Sequence, residues 1–170
     1  MFWRFCGYFV AGVSVMCSAL MAGVSQIYVF AMMRYFERSS LNEFLEYYRA
    51  IGKTTRLPVA LTYLTMICSS ILWLYALRRQ HRSLPFYMVI GVLLCQLQEA
   101  SLSYFGHYKI NDMLMAYANS NTVVQEWQSL REELNQFYYL HFAMNLTAFV
   151  IGLAAIFIVK GIFFHNKPIN

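Results

Sequence analysis

The residues best suited to chemistry lie in an apolar stretch near the middle of the chain. Four polar side chains recur there at spacings of three and four residues, which places them on one helical face: Gln96, Glu99, Ser103 and His107. A carboxyl group in such a stretch is costly to ionise in lipid and needs a partner. Glu99 is therefore a candidate catalytic base, or alternatively forms a structural hydrogen bond to Asn145 or Ser25.

Two histidines near this stretch offer nitrogen ligands. His107 leaves the third apolar segment, and His141 enters the fourth on the same side. Paired histidines on neighbouring helices can ligate a haem or a metal. The chain has no Glu-x-x-His pair, so a di-iron bundle site is not indicated. A histidine at a membrane interface is more often an amphipathic anchor. We therefore predict no cofactor and no metal, with haem or metal ligation by His107 and His141 as the alternative.

Four apolar segments must position these residues. Each is long enough as a helix for a hydrocarbon core of about 30 Å, and they cover residues 5–33, 57–77, 84–105 and 138–164. The chain is 59% hydrophobic and 12% charged, with mean hydropathy +0.46, far fewer charges than a soluble domain carries. The sequence predicts one all-α integral membrane domain over residues 1–170. This is a four-transmembrane-helix bundle in a lipid bilayer, with no role in nucleic-acid binding.

Three loops connect the segments: loop one covers residues 34–56, loop two 78–83 and loop three 107–137. Loops one and three carry further helical signals. In loop one, apolar residues at helical spacing predict a short amphipathic helix: Leu41, Phe44, Leu45 and Tyr48. In loop three, Thr122 and Gln125 have the form of a capping box. We expect the fourth helix to begin near Thr122, extend beyond the membrane and enter it near Tyr138.

Charge distribution predicts the orientation. The N-terminus, loop two and the C-terminal tail contain no Asp or Glu but six basic residues: Arg4, Arg78, Arg79, Arg82, Lys160 and Lys167. Dense basic residues in short loops favour the cytoplasmic or matrix side. Both termini are predicted to lie there. The organelle stays open, and the mitochondrial inner membrane is one candidate.

Small residues predict how the helices pack. In lipid, helices associate through side chains that allow close backbone approach. The first segment has six of them along one face: Gly7, Ala11, Ser14, Ser18, Ala22 and Ser25. The fourth segment continues the rhythm at Asn145, Ala148, Gly152 and Ala155. We expect these two faces to form tight helix contacts.

The second half of the chain carries a family resemblance. Lys109-Ile110-Asn111-Asp112-Met113-Leu114 is followed by Trp127-x-x-Leu130-Arg131 and by Leu146-Thr147-Ala148-Phe149. This order, between about residues 108 and 152, resembles the anthrone-oxygenase-like family of small four-helix membrane proteins. Asn111, Trp127 and Arg131 match that pattern. The family then has a His and an Arg two positions apart, where this chain has Tyr139 and His141, so the polar pair differs.

Three functions remain open at this stage. The small size and the weak catalytic inventory favour an accessory or structural subunit of a larger membrane protein complex. The resemblance implies instead a membrane enzyme acting on a lipid-soluble phenol. Its pocket at the loop-three end would be lined by Glu99, His107, Asn111, Trp127, Arg131 and His141. The candidate residues for ligand binding are Glu99, Asn111, Trp127 and Asn145. Glu99 or His107 would be the base, and Arg131 would stabilise a phenolate. The third is a carrier of a phenolic or lipid ligand, with Glu99 as the polar floor of an apolar cavity.

Overall fold

The structure is a computed structural model that describes the backbone of residues 2–120 and 127–165 and most of their side chains. Within these residues the chain is helical and contains no strand. The elements are α1 (Phe2–Ile27), a π-helical segment (Tyr28–Met32), α2 (Met33–Arg38), α3 (Leu41–Leu77), a 3-10 turn (Arg78–Gln80), α4 (Leu84–Ser101), a second π-helical segment (Leu102–His107), α5 (Tyr108–Ser120) and α6 (Trp127–His165). The predicted all-α class is confirmed.

Four helical stretches are long and apolar enough to cross a membrane: Cys6–Arg38, Thr54–Gln80, Leu84–Leu114 and Gln128–Val159. Their outward faces carry large exposed apolar side chains such as Phe9, Leu64, Leu94 and Phe157. Exposed apolar surface on this scale requires a lipid environment. The chain is therefore an integral membrane protein built as a four-helix bundle.

The four long helices form a closed ring. α1 packs against α3 and α6, and α4 packs against the same two helices. Each helix therefore presents one face to a shared interior and the rest of its surface to lipid. Polar side chains on the inner faces are removed from both lipid and water, so they must bind one another.

At the loop-one and loop-three end, α3 and α6 both begin before the apolar segments that the sequence predicts to cross the membrane. α3 begins at the N-cap Ser40, whose side chain and that of Glu43 form a capping box. Its first turns bury Phe44 and Leu45, as expected for the amphipathic segment. This segment is not a separate helix, because α3 runs on into the second span. α6 is likewise described from Trp127, about three turns before Tyr138. The predicted start at Thr122 lies outside the described residues.

An apolar cluster joins these extensions. It brings together Val29, Met33, Phe36, Phe44, Leu45, Ile110, Leu114, Leu130, Leu134 and Tyr138. Phe36 meets the Phe44 ring edge-on at 4.7 Å between centroids, and Tyr28 stacks on Tyr138 at 4.9 Å. The cluster lies next to the buried polar residues of the bundle interior, both on α6 and on the π-helical segment that follows α1. It therefore covers those polar residues at the loop-one and loop-three end of the bundle.

Candidate functional site

The side chain of Glu99 lies at the centre of the bundle and is fully buried. Three donors converge on its Oε1 atom. The hydroxyl of Tyr63 on α3 binds it, Nδ1 of His141 on α6 lies 2.9 Å away, and the amide of Asn145 on α6 donates at 3.1 Å. Hydrogen bonds to a carboxylate are stronger than those between neutral groups. One oxygen of Glu99 therefore links α3, α4 and α6.

Further hydrogen bonds extend this network to α1. Ser103 donates to the Tyr63 hydroxyl at 3.3 Å. Asn145 donates to the Ser25 hydroxyl at 3.5 Å and to the carbonyl of His141 at 2.9 Å. Because Ser25 uses its own proton on the Met21 carbonyl, its oxygen is free to accept from Asn145. All four spans thus contribute to one connected network.

A second polar layer lies one turn earlier on α4. Gln96 is buried and its Nε2 atom donates to Ser14 at 3.3 Å and to Ser18 at 3.2 Å. Ser14 also shares a 2.6 Å hydrogen bond with Ser70 of α3. Ser18 donates its proton to the Ser14 carbonyl, so it can only accept from Gln96. This fixes the orientation of the Gln96 amide, with its carbonyl oxygen turned away from the serines.

Three buried side-chain polar atoms have no hydrogen-bond partner within the described part of the chain. One is the hydroxyl of Ser83 at the N-cap of α4, and the other two are acceptors in the bundle interior, Oε2 of Glu99 and Oε1 of Gln96. Both belong to side chains on consecutive turns of α4, and both side chains face the bundle interior. A buried acceptor without a partner costs about 1–3 kcal/mol. The pair is therefore suited to a group that brings hydrogen-bond donors into the membrane interior.

The structure separates Arg131 from this network. Its guanidinium donates to the carbonyl oxygens of Phe36 at 3.4 Å and Glu37 at 3.3 Å, at the end of α2. Arg131 also lies ten residues before His141 on α6, or about 15 Å along the helix. The described geometry therefore gives Arg131 a contact that ties α6 to α2, rather than a place beside Glu99.

The other predicted site residues divide into two groups. Asn145 and His141 both contact Glu99. The contact with Asn145 is the structural hydrogen bond that the sequence analysis gave as an alternative. The side chains of His107, Asn111 and Trp127 lie outside the described residues, so a meeting of the two histidines stays a prediction. Among the residues that are described, no group of three or more His, Cys, Asp or Glu side chains could hold a metal ion.

The small residues predicted to pack helices line the interior of the bundle. Ala11, Ser14, Ser18, Ala22, Ser25 and Ala148 are all buried. Gly152 of α6 faces α1, because a Cβ there would lie 2.9 Å from Val15. Gly7 instead faces α3, where a Cβ would lie 3.4 Å from that of Ala76. The serines of this face do more than allow close approach, since they hold Gln96 and Asn145.

Sequence reasoning missed Tyr63, Ser70 and Gly106. Tyr63 and Ser70 lie in an apolar span without a polar neighbour three or four residues away, and only the fold brings them to Glu99 and Ser14. Gly106 lies in the second π-helical segment, where a methyl group would overlap the ring of Phe137. π-helical turns often occur at functional sites, and here one follows Glu99 directly on the same helix.

Comparison of the chain with protein-family models, with curated proteins and with solved structures returned no match. The class of the protein therefore rests on its own fold and site. It is a four-span integral membrane protein with a carboxylate, an imidazole and a phenol joined in its interior. The resemblance to the anthrone-oxygenase-like family stays a prediction.

Proposed function

We propose that this membrane protein binds a lipid-soluble aromatic ligand that carries hydroxyl groups. One observation carries the proposal: Oε2 of Glu99 and Oε1 of Gln96 are buried acceptors on adjacent turns of α4, and no donor among the described residues binds them. A phenolic ligand enters from the lipid and supplies hydroxyl protons to both. An apolar ring system matches the surroundings, where Met21 and Met66 pack beside Tyr63.

The same groups support acid–base chemistry on that ligand. Oε1 of Glu99 is held by Tyr63, His141 and Asn145, so Oε2 is the atom available to take a proton. Transfer of the hydroxyl proton from ligand to Oε2 leaves a phenolate and a neutral carboxyl group. General base catalysis uses this arrangement, in which a positioned side chain takes a proton from the bound ligand. The resemblance of residues 108–152 to the anthrone-oxygenase-like family supports the phenolic class.

The test uses the purified full chain in lipid nanodiscs. A dihydroxyanthrone and its dimethyl ether are each titrated, and empty nanodiscs correct for partition into lipid. We expect saturable binding of the hydroxylated compound, at least about tenfold tighter than the ether because the ether leaves buried acceptors unpaired. The phenolate absorbance band should appear on binding. Equal affinity for the two compounds would contradict the proposal.

Matched variants locate the base. Glu99→Gln keeps the shape but should abolish the phenolate band, whereas Glu133→Gln changes an exposed carboxyl more than two turns before His141 on α6 and should leave the band unchanged. His141→Ala should weaken the band, and full retention would rule out a role for His141. The melting temperature of each variant is measured first, and only variants that are folded at the assay temperature are compared. If Glu99→Gln unfolds, Gln96→Leu provides the second probe of the acceptor pair.

An accessory subunit of a larger membrane complex is the second candidate function. It is favoured by the outward faces of the spans, where large apolar side chains such as Phe9 and Phe157 are exposed. In lipid, such faces suit partner helices as well as acyl chains. The size of the native assembly decides between a subunit and an independent protein.

A further inference from the structure

A cavity of about 290 Å³ opens between helices at the end of the bundle opposite the polar network. Its walls come from α1, α3 and α6 and are mainly apolar: Gly7, Ala11, Trp73, Leu77, Ile156 and Val159. Arg79 and Gln80, both from the 3-10 turn that follows α3, also line it, as does Tyr8 of α1. The cavity thus joins an apolar interior to a basic turn.

Small side chains on facing helices create this space. Gly7 has no side chain, and a Cβ there would just touch Ala76 across the gap. Folded interiors pack as densely as organic crystals, with few voids larger than a water molecule. The apolar part of this cavity, away from Arg79 and Gln80, does not favour ordered water. Inside a membrane, the group at hand to fill it is an acyl chain.

The polar lining residues select the head of that lipid. The neighbouring Arg78 is already engaged, because its guanidinium donates to the Tyr75 carbonyl at 2.9 Å and lies 3.9 Å from the centroid of the Tyr75 ring. Arg79 has no ion-pair partner in the described ranges. The sequence also offers no acidic residue nearby, since Asp and Glu are absent from residues 1–36, 47–98 and 134–170.

We propose that this cavity binds one anionic phospholipid. Its acyl chain fills the apolar space along α1 and α6, and its phosphate accepts hydrogen bonds from the Arg79 guanidinium and the Gln80 amide. A guanidinium matches phosphate oxygens in a two-point geometry. Basic pockets between spans near a membrane surface are suited to acidic headgroups. The site does not involve Glu99 and is independent of the proposed function.

The experiment is native mass spectrometry of the full chain released from detergent. Phosphatidylglycerol, phosphatidylcholine and oleate are added separately, and the fraction of chains that retain one lipid is measured at increasing collision energy. We expect the wild-type chain to retain phosphatidylglycerol preferentially. Stronger retention of oleate than of phosphatidylglycerol would show a fatty-acid site and overturn the assignment to phospholipid.

Three variants separate this site from general surface charge. Arg79→Gln should lower retention of phosphatidylglycerol about fivefold and erase its advantage over phosphatidylcholine, as expected for one basic residue at the surface. Arg82→Gln, two residues after the 3-10 turn and not lining the cavity, should change neither. Ala76→Phe, at an exposed position that lines the cavity, should fill the space and lower the retention of both phosphatidylglycerol and phosphatidylcholine. Unchanged retention in Arg79→Gln, or an equal loss in Arg82→Gln, would overturn the proposal.

Discussion

His141 on α6 faces Glu99 on α4, and the Nδ1 atom of the imidazole lies 2.9 Å from Oε1 of the carboxylate. Both side chains are almost completely buried. Tyr63 and Asn145 bind the same oxygen, so helices from three spans meet at one atom. A buried polar network whose members bind one another specifies a single packing. Glu99 therefore has a structural role besides the one proposed in ligand binding.

Removal of this carboxylate should destabilise the bundle. Glu99→Ala leaves three buried donors without their acceptor, and hydrogen bonds between spans contribute about 0.6 kcal/mol each. We expect a loss of about 2 kcal/mol in the free energy of unfolding on that basis. Titration with sodium dodecyl sulfate, followed by circular dichroism, measures it. The control Gln98→Ala, on the exposed face of the same turn, should change little.

A double-mutant cycle tests whether Tyr63 acts through Glu99. Tyr63→Phe removes one donor and should cost about 0.6 kcal/mol in the wild-type chain. In the Glu99→Ala background its acceptor has already gone, so the same change should cost less, because only the hydrogen bond from Ser103 remains to be lost. An equal cost in both backgrounds would show that Tyr63 stabilises the bundle independently of Glu99.

The close approach of α6 to α1 at Gly152 should be sensitive to a single methyl group. A Cβ at Gly152 would lie 2.9 Å from Val15, whereas one at Gly91 of α4 meets nothing within 4 Å. Gly152→Ala should therefore destabilise the bundle by about 1 kcal/mol through overpacking. Gly91→Ala should have no such effect. Val15→Ala should restore stability to Gly152→Ala, and failure of this rescue would show that the contact is not the cause.

The sequence predicted more of the membrane architecture than of the site. Apolar length alone yields four spans, and helical spacing places Gln96 and Glu99 on one inner face. The sequence offered a few candidate hydrogen-bond partners for Glu99 but did not identify which of them bind it. Asn145 was one candidate because it lies on a small-residue face, while Tyr63 resembles any tyrosine in an apolar span. The periodicity of the sequence shows which face of each helix is buried. It does not show which helices are neighbours in the ring, so it could not bring Tyr63 of α3 next to Glu99 of α4.

The position of Arg131 shows a second limit of pattern reasoning. The resemblance gave it a role in stabilising a phenolate, but the structure ties it to the carbonyl oxygens of Phe36 and Glu37. Arg131→Gln should raise amide hydrogen exchange in α2 and leave phenol binding in the membrane interior unchanged. A variant that loses ligand binding while α2 remains protected would support the catalytic role instead.

Acid should loosen the start of α3. The backbone amide and the side chain of Ser40 donate to Glu43 and hold the pKa of that carboxyl below its usual value. A carboxyl with a lowered pKa stabilises the folded form above its unfolded pKa, and this contribution disappears as the pH falls through the folded value. Amide exchange in the first turn of α3, corrected for intrinsic rates, should rise as the pH falls below the ordinary pKa of a glutamate. In Glu43→Gln this pH dependence should be absent.

Native size separates the two candidate functions. Blue-native electrophoresis of the source membranes, probed for this chain, gives the mass of the assembly that contains it. A band far above the mass of the 19.9 kDa chain supports the subunit function, and mass spectrometry of that band identifies the partners. Migration as a monomer or small oligomer contradicts that function. Ligand binding at Glu99 and Gln96 would then account for the buried acceptors without any partner chain. Because the acceptors lie inside the bundle while a partner would contact its outer face, Glu99→Gln should leave the size of a true complex unchanged wherever the variant remains folded.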